Sequence, residues 1–134
     1  MKRVNNIYNN IVDLVKIQNM YNKRIRINTK NKYKLEKFEN NYVSNMIYIK
    51  ETLENRNYVP GKYNLFLVKS PKLRLIMSQN IIDKIINHVV TEYILIKVFD
   101  KSLIEENIAT RKNKGTHYGI KLLKKYLDIS NFKI

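Results

Sequence analysis

The spacing of apolar residues in this chain changes twice, and each change limits what a segment can become. Leu35, Phe38, Tyr42, Met46, Ile49 and Leu53 advance by three or four residues, the signature of one helix face packed into a core. In NRNYVPGKY the pattern breaks, and Pro60 and Gly61 mark a turn. From there the period is two. Tyr63, Leu65 and Leu67 alternate with Asn64, Phe66 and Val68, and Leu73, Leu75 and Met77 alternate with Arg74, Ile76 and Ser78. Two such runs around residues 69–72 predict an antiparallel hairpin. Pro71 falls in its loop, where a missing N–H takes nothing from the ladder. From Ile81 to about Phe99 the spacing is helical again, through Ile82, Ile85, Ile86, Val89, Tyr93 and Ile96. The β-branched content there favours strands, so length and spacing decide for a helix.

The ends follow the same logic. Ile7, Ile11, Leu14, Tyr21 and Ile25 predict a first helix over residues 5–25, after which KRIRINTKNK breaks the pattern and Thr29 is placed to cap the next helix. A loop over residues 105–115 precedes a last helix, capped by Thr116 and carrying Ile120, Leu123 and Leu127. The expected fold is α+β and mostly helical: two N-terminal helices, an antiparallel hairpin, then two or more helices. Residues 1–59 read as a helical extension and 60–134 as the main part. The chain stops at FKI without a tail or a final core layer.

Charge narrows the partners. The 134 residues fit one domain or part of a larger one, and 26 Lys+Arg against 11 Asp+Glu give +15 at pH 7. Such a surface repels itself unless a polyanion neutralises it, nucleic acid first and an anionic membrane second. An AT-rich genome accounts for part of the Lys, Asn, Ile and Tyr excess, but not for cations recurring at turns. There is no cysteine, so neither disulfides nor thiolate metal sites are available. MKRVNNIYNN lacks the apolar stretch of a secretory signal, and no apolar run approaches the about 20 residues that span a bilayer. A cytoplasmic protein with no membrane partner is expected.

Candidate sites each carry two readings. Lys72 and Arg74, two apart on a predicted strand, share a face. Arg as a fork and Lys as a point charge can clamp a triphosphate, with Lys69 near the loop; equally, they can form a solvated strand face. RKNKGTHYG sets Arg111, Lys112 and Lys114 beside Gly115 and a new helix start at Thr116, a basic turn with backbone N–H groups suited to an anion or simply to water. It lacks the Walker A spacing. Asp83 is suited either to hold a cation or to cap the helix start near Asn80. His88 borders the apolar face and reads as a hydrogen-bonded core histidine, without the partner a base needs. Glu105 and Glu106 read as solvated charge. His88 and His117 form no metal-ligand pattern, so no catalytic or metal-binding residue is assigned.

Three segments together resemble the fingers region of bacterial reverse transcriptases of the retron, diversity-generating and group II intron-related type. YNLFLVKSPKLRLI resembles the fingers hairpin, in which a basic PKxR strand precedes an isoleucine. NIIDKIINHVV is similar to the following helix, and VFDKSLIEENIATRKNKGTHYGIKLLKKYL to a stretch that reads PIFD, a SYA-like segment and RKGKGTH. The likeness spans about half of the chain, from Tyr63 to Leu127. It implies that Lys72 and Arg74 face the triphosphate of an incoming dNTP. It also implies that Arg111, Lys112, Lys114, Gly115 and Thr116 lie along the template backbone, and that the partners are an RNA template and a DNA or RNA primer.

Departures limit the likeness. Ile82 and Lys84 stand where the family carries arginines. The family's catalytic aspartates follow the GTH helix, and this chain ends at Ile134 before either, with no YxDD in it. Mg²⁺ is expected for the full nucleotidyltransferase, yet none of its ligands is in this fragment. The resemblance therefore implies a truncated retroelement polymerase that binds but does not polymerise alone, lacking a palm and thumb segment. The rival expectation is a small non-enzymatic basic RNA- or DNA-binding protein. A degenerate remnant, aggregation-prone where a palm should dock, is a third.

Overall fold

The computed structural model describes residues 4–130, so the MKR start and the FKI end lie outside the described residues. The fold is α+β and mostly helical, as the periodicities predict. It forms two compact units, residues 4–96 and 97–130. Their division follows Ile96 rather than residue 60, because the N-terminal helices share a core with the helix after the hairpin.

In the first unit a 3₁₀ turn (Tyr8–Asn10) leads to α1 (Leu14–Met20), which continues as a π-helical turn (Tyr21–Arg26). The single helix expected over residues 5–25 is thus interrupted. Asp13 takes an extended backbone and its Oδ1 accepts from the N–H groups of Val15 (2.9 Å) and Lys16 (3.4 Å), so the helix begins there. Thr29 does not cap the next helix, because its Oγ1 donates back to the Ile25 carbonyl at 2.6 Å. Asn31 does so instead, accepting from Lys34 N–H at 3.0 Å, and α2 runs Lys32–Glu39. After a break at Asn40 and Asn41, α3 runs Tyr42–Glu54. The side chain of Asn45 donates to the Phe38 carbonyl across that break at 3.0 Å.

The hairpin pairs β1 (Asn64–Val68) with β2 (Arg74–Ser78) in the antiparallel register Leu65↔Met77, Phe66↔Ile76, Leu67↔Leu75. Helix α4 (Ile81–Val90) follows, capped by Asn80, and passes through a π-helical turn (Thr91–Leu95) into α5 (Ile96–Phe99). The core collects Ile17, Met20, Tyr21 and Ile25, Phe38, the α3 stripe Met46, Ile49 and Leu53, and Ile81, Ile85, Ile86 and Val89 of α4. Tyr21 stacks on Phe38 with centroids 5.1 Å apart, and its hydroxyl donates to Glu39 at 2.8 Å. Ile96, expected on the buried face, is exposed.

The second unit holds the loop over residues 100–115 and α6 (Thr116–Ile129). Among the described residues, no helix is long and apolar enough to cross a membrane. Ile49 is fully buried at the centre of the first unit. Ile49→Ala should therefore lower the unfolding free energy by about 2–5 kcal/mol in a urea titration, the range for a truncated core aliphatic.

Candidate functional site

The hairpin stands out from the helical core. Every strand residue except Val68 and Ser78 is exposed. One face of the ribbon carries Leu65, Leu67, Leu75 and Met77; the other carries Phe66 and Ile76 flanked by Arg74 and Val68. Between Gly61 and Ile82 the only charged residues are Lys62, Lys69, Lys72 and Arg74, with no acid to offset them. Lys69, Lys72 and Arg74 are exposed, and among the described residues none of them has an ion pair or a side-chain hydrogen bond. Their charge is open to an external anion.

The local geometry revises one expectation. β2 begins at Arg74, so Lys72 and Leu73 lie in the bend before it, next to the cis Ser70–Pro71 peptide. Strand alternation therefore does not place Lys72 on the face of Arg74. Both cations sit at the tip end of the hairpin, Lys72 in the bend and Arg74 at the last rung opposite Val68. Phe66, 48% exposed on Arg74's face, is the neighbour that sequence reading did not single out. The alternation carried that information, since Arg74 and Ile76 share a side and Ile76 pairs with Phe66.

Asp83 is not an open cation site. It is 4% exposed, and its Oδ1 accepts from the Tyr58 hydroxyl at 2.8 Å while Oδ2 accepts from Gly61 N–H at 3.0 Å. Its own N–H donates to Asn80 Oδ1 at 2.7 Å, which makes Asn80 the cap. Burial, and then the bond to this carboxylate, push the Tyr58 hydroxyl well above the ordinary tyrosine value. His88 is exposed on α4 and is not a core histidine.

In the second unit the basic turn is partly committed to its own loop. The Arg111 side chain is 14% exposed, and its guanidinium forks into the preceding segment. Nε donates to Asp100 Oδ1 at 2.9 Å, Nη1 to the Ile104 carbonyl at 2.9 Å and Nη2 to the Asp100 carbonyl at 3.1 Å. Arg111 is thus not free to meet a template, because its donors already satisfy carbonyls of a loop without a ladder of its own. Lys114 Nζ donates to the Glu105 carbonyl at 2.9 Å and lies 5.0 Å from the Tyr118 ring centroid. Lys112 is exposed and has no such partner among the described residues. Gly115, with an extended backbone, is the N-cap residue of α6, and Thr116 is the first helical residue; no side chain caps this end.

Glu105 and Glu106 are not merely solvated. Glu105 accepts from the Tyr118 hydroxyl at 2.6 Å and Glu106 from that of Tyr126 at 2.5 Å, clipping the loop to α6. Partners thirteen and twenty residues apart leave no periodic signal. Gly119 completes the packing, since a side chain there would collide with Ile108. Among the described residues no group of three or more His, Asp or Glu side chains could hold a metal ion.

No protein-family model matches the chain, and no curated protein matches it.

The clip has a pH signature. Its hydrogen bond to Glu106 pushes the Tyr126 hydroxyl from 10.0 up to about 12 and holds the Glu106 carboxyl below its ordinary value. For the tyrosine, the folded form is favoured below pH 10 and that contribution is lost as pH rises through about 12. For the glutamate, the contribution is lost as pH falls through its lowered value. Ring-carbon NMR should show Tyr126 ionising near 12, and Glu106→Gln should return its midpoint towards 10.

Proposed function

We propose that the chain is the fingers portion of a bacterial RNA-directed DNA polymerase, binding RNA template with its DNA or RNA primer and the triphosphate of an incoming dNTP. The observation that carries the reading is the hairpin. Lys72 and Arg74, with Lys69, stand without an ion pair among the described residues at the tip of an exposed, acid-free ribbon. Such cations gain most from a compact polyanion, because a guanidinium and an ammonium engage phosphate oxygens through charge-assisted bonds. The order of motifs from Tyr63 to Leu127 supplies the polymerase part of the reading. Lys112 is the cation of the basic turn best placed to touch a template phosphate, with Lys114 shared between the loop and solvent. Arg111 shapes that turn from within.

On this reading phosphoryl transfer requires a palm segment whose carboxylates hold Mg²⁺, and the given sequence contains no YxDD. The working place is the cytoplasm. A second reading, a non-enzymatic basic RNA- or DNA-binding protein, is supported by the net charge of +15, which a polyanion of any sequence would neutralise.

Binding separates the two. For a clamp, Lys72→Ala and Arg74→Ala each weaken dNTP binding by roughly tenfold, the scale of one charge-assisted hydrogen bond. Lys112→Ala instead leaves dNTP binding unchanged and flattens the slope of log affinity for single-stranded RNA against log salt by about 0.7, as for one lost phosphate contact. Equal small losses at all three positions, without any dNTP dependence, would favour the coat protein.

A further inference from the structure

The hairpin leaves the helical core after Gly61 and returns at Asn80, and the two ends meet at one carboxylate. Asp83 receives Tyr58 and Gly61 from the outgoing segment, while its own N–H is held by Asn80 from the returning one. No Lys, Arg or His pairs with it among the described residues. A buried carboxylate without a counter-ion is tolerated only when hydrogen bonds replace its lost water, and both of its oxygens are supplied here. Its place in the first turn of α4 adds a favourable interaction with the helix dipole.

Contact at this point is close. A side chain at Gly61 would run into the side-chain amide of Asn80 and crowd the Asp83 carboxylate, so the outgoing segment comes this close to the cap because Gly61 has no side chain. Little else holds the hairpin. No residue of β1 or β2 belongs to the buried core. The next polar ties are a long one, from Gln79 Nε2 to the Tyr63 hydroxyl at 3.5 Å, and one from Asn87 Nδ2 to Gln79 Oε1 at 3.1 Å. The raised Tyr58 hydroxyl stays a donor across the ordinary pH range, so its bond to Asp83 persists.

We propose that Asp83 is a positioning residue, a latch that joins the base of the hairpin to the first turn of α4 and so sets where Lys72 and Arg74 stand. The pose is a property of the fold; its use in holding a nucleotide rests on the clamp reading above. The latch explains why a polar contact of this kind lies under the ribbon. An exposed two-stranded hairpin has no core of its own to orient it, and a cation clamp misplaced by an ångström loses its fit to a phosphate chain.

The test uses the full chain, whose lack of cysteine permits two spin labels, at Leu67→Cys on β1 and at His88→Cys on α4, both exposed positions. The distance distribution should be narrow with the latch intact. In Asp83→Asn one acceptor becomes a donor facing Tyr58 or Gly61, and in Tyr58→Phe one bond is lost. Each should lower the ratio of latched to unlatched hairpin by roughly tenfold, the scale of a hydrogen bond to a charged group, and broaden the distribution visibly. Tyr58→Phe serves if Asp83→Asn does not fold. An unchanged distribution in the folded variants overturns the latch. A dNTP titration of the same variants judges the other idea. A broadened hairpin with undiminished dNTP affinity leaves the latch standing and removes the clamp.

Discussion

Helix α4 buries Ile81, Ile85, Ile86 and Val89 against the N-terminal helices, and that burial gives the carboxylate in its first turn a fixed address. The rest of the first unit depends on this arrangement. The α3 stripe and the Tyr21–Phe38 stack close the other side of the same core. Apolar burial is non-directional and would not by itself orient a projecting ribbon. The directional part comes from Asp83, whose two oxygens take donors from the segment that leads into β1. One helix therefore anchors both the packing and the hairpin.

The second unit is organised differently. None of its described residues is buried, and order comes from side chains answering backbone groups. Arg111 gathers the carbonyls of Asp100 and Ile104, and Tyr118 and Tyr126 tie Glu105 and Glu106 to α6. A basic turn held this way has fewer free cations than its composition suggests. The cations of the hairpin, by contrast, have no internal partner among the described residues.

Periodicity made the core legible. The stripe Phe38, Met46, Ile49 and Leu53, the strand alternation about Pro71 and the apolar face of α4 all follow from spacing, because burial imposes one period on a helix and another on a strand. Caps were less legible. Thr29 has the right chemistry, but Asn31 takes the cap of α2, since any short polar residue near a helix start competes for the same N–H groups, whereas α6 begins at Thr116 after Gly115 with no side-chain cap. Strand alternation does not extend to Lys72, because the bend runs through it and β2 begins only at Arg74. Contacts between residues far apart in sequence, such as Tyr58 with Asp83 or Tyr126 with Glu106, leave no mark on any local pattern. The candidate cations themselves were visible from the start. Which of them are free was not.

The central claim is that the hairpin tip is a binding site for a polyphosphate. Its most direct test is an amide NMR titration of the isotope-labelled full chain with a dNTP. Saturable shifts concentrated at residues 69–74, skipping Pro71, which has no amide proton, are the predicted result. Shifts spread evenly over the lysine-rich surfaces of both units, or none at the hairpin tip, would contradict it.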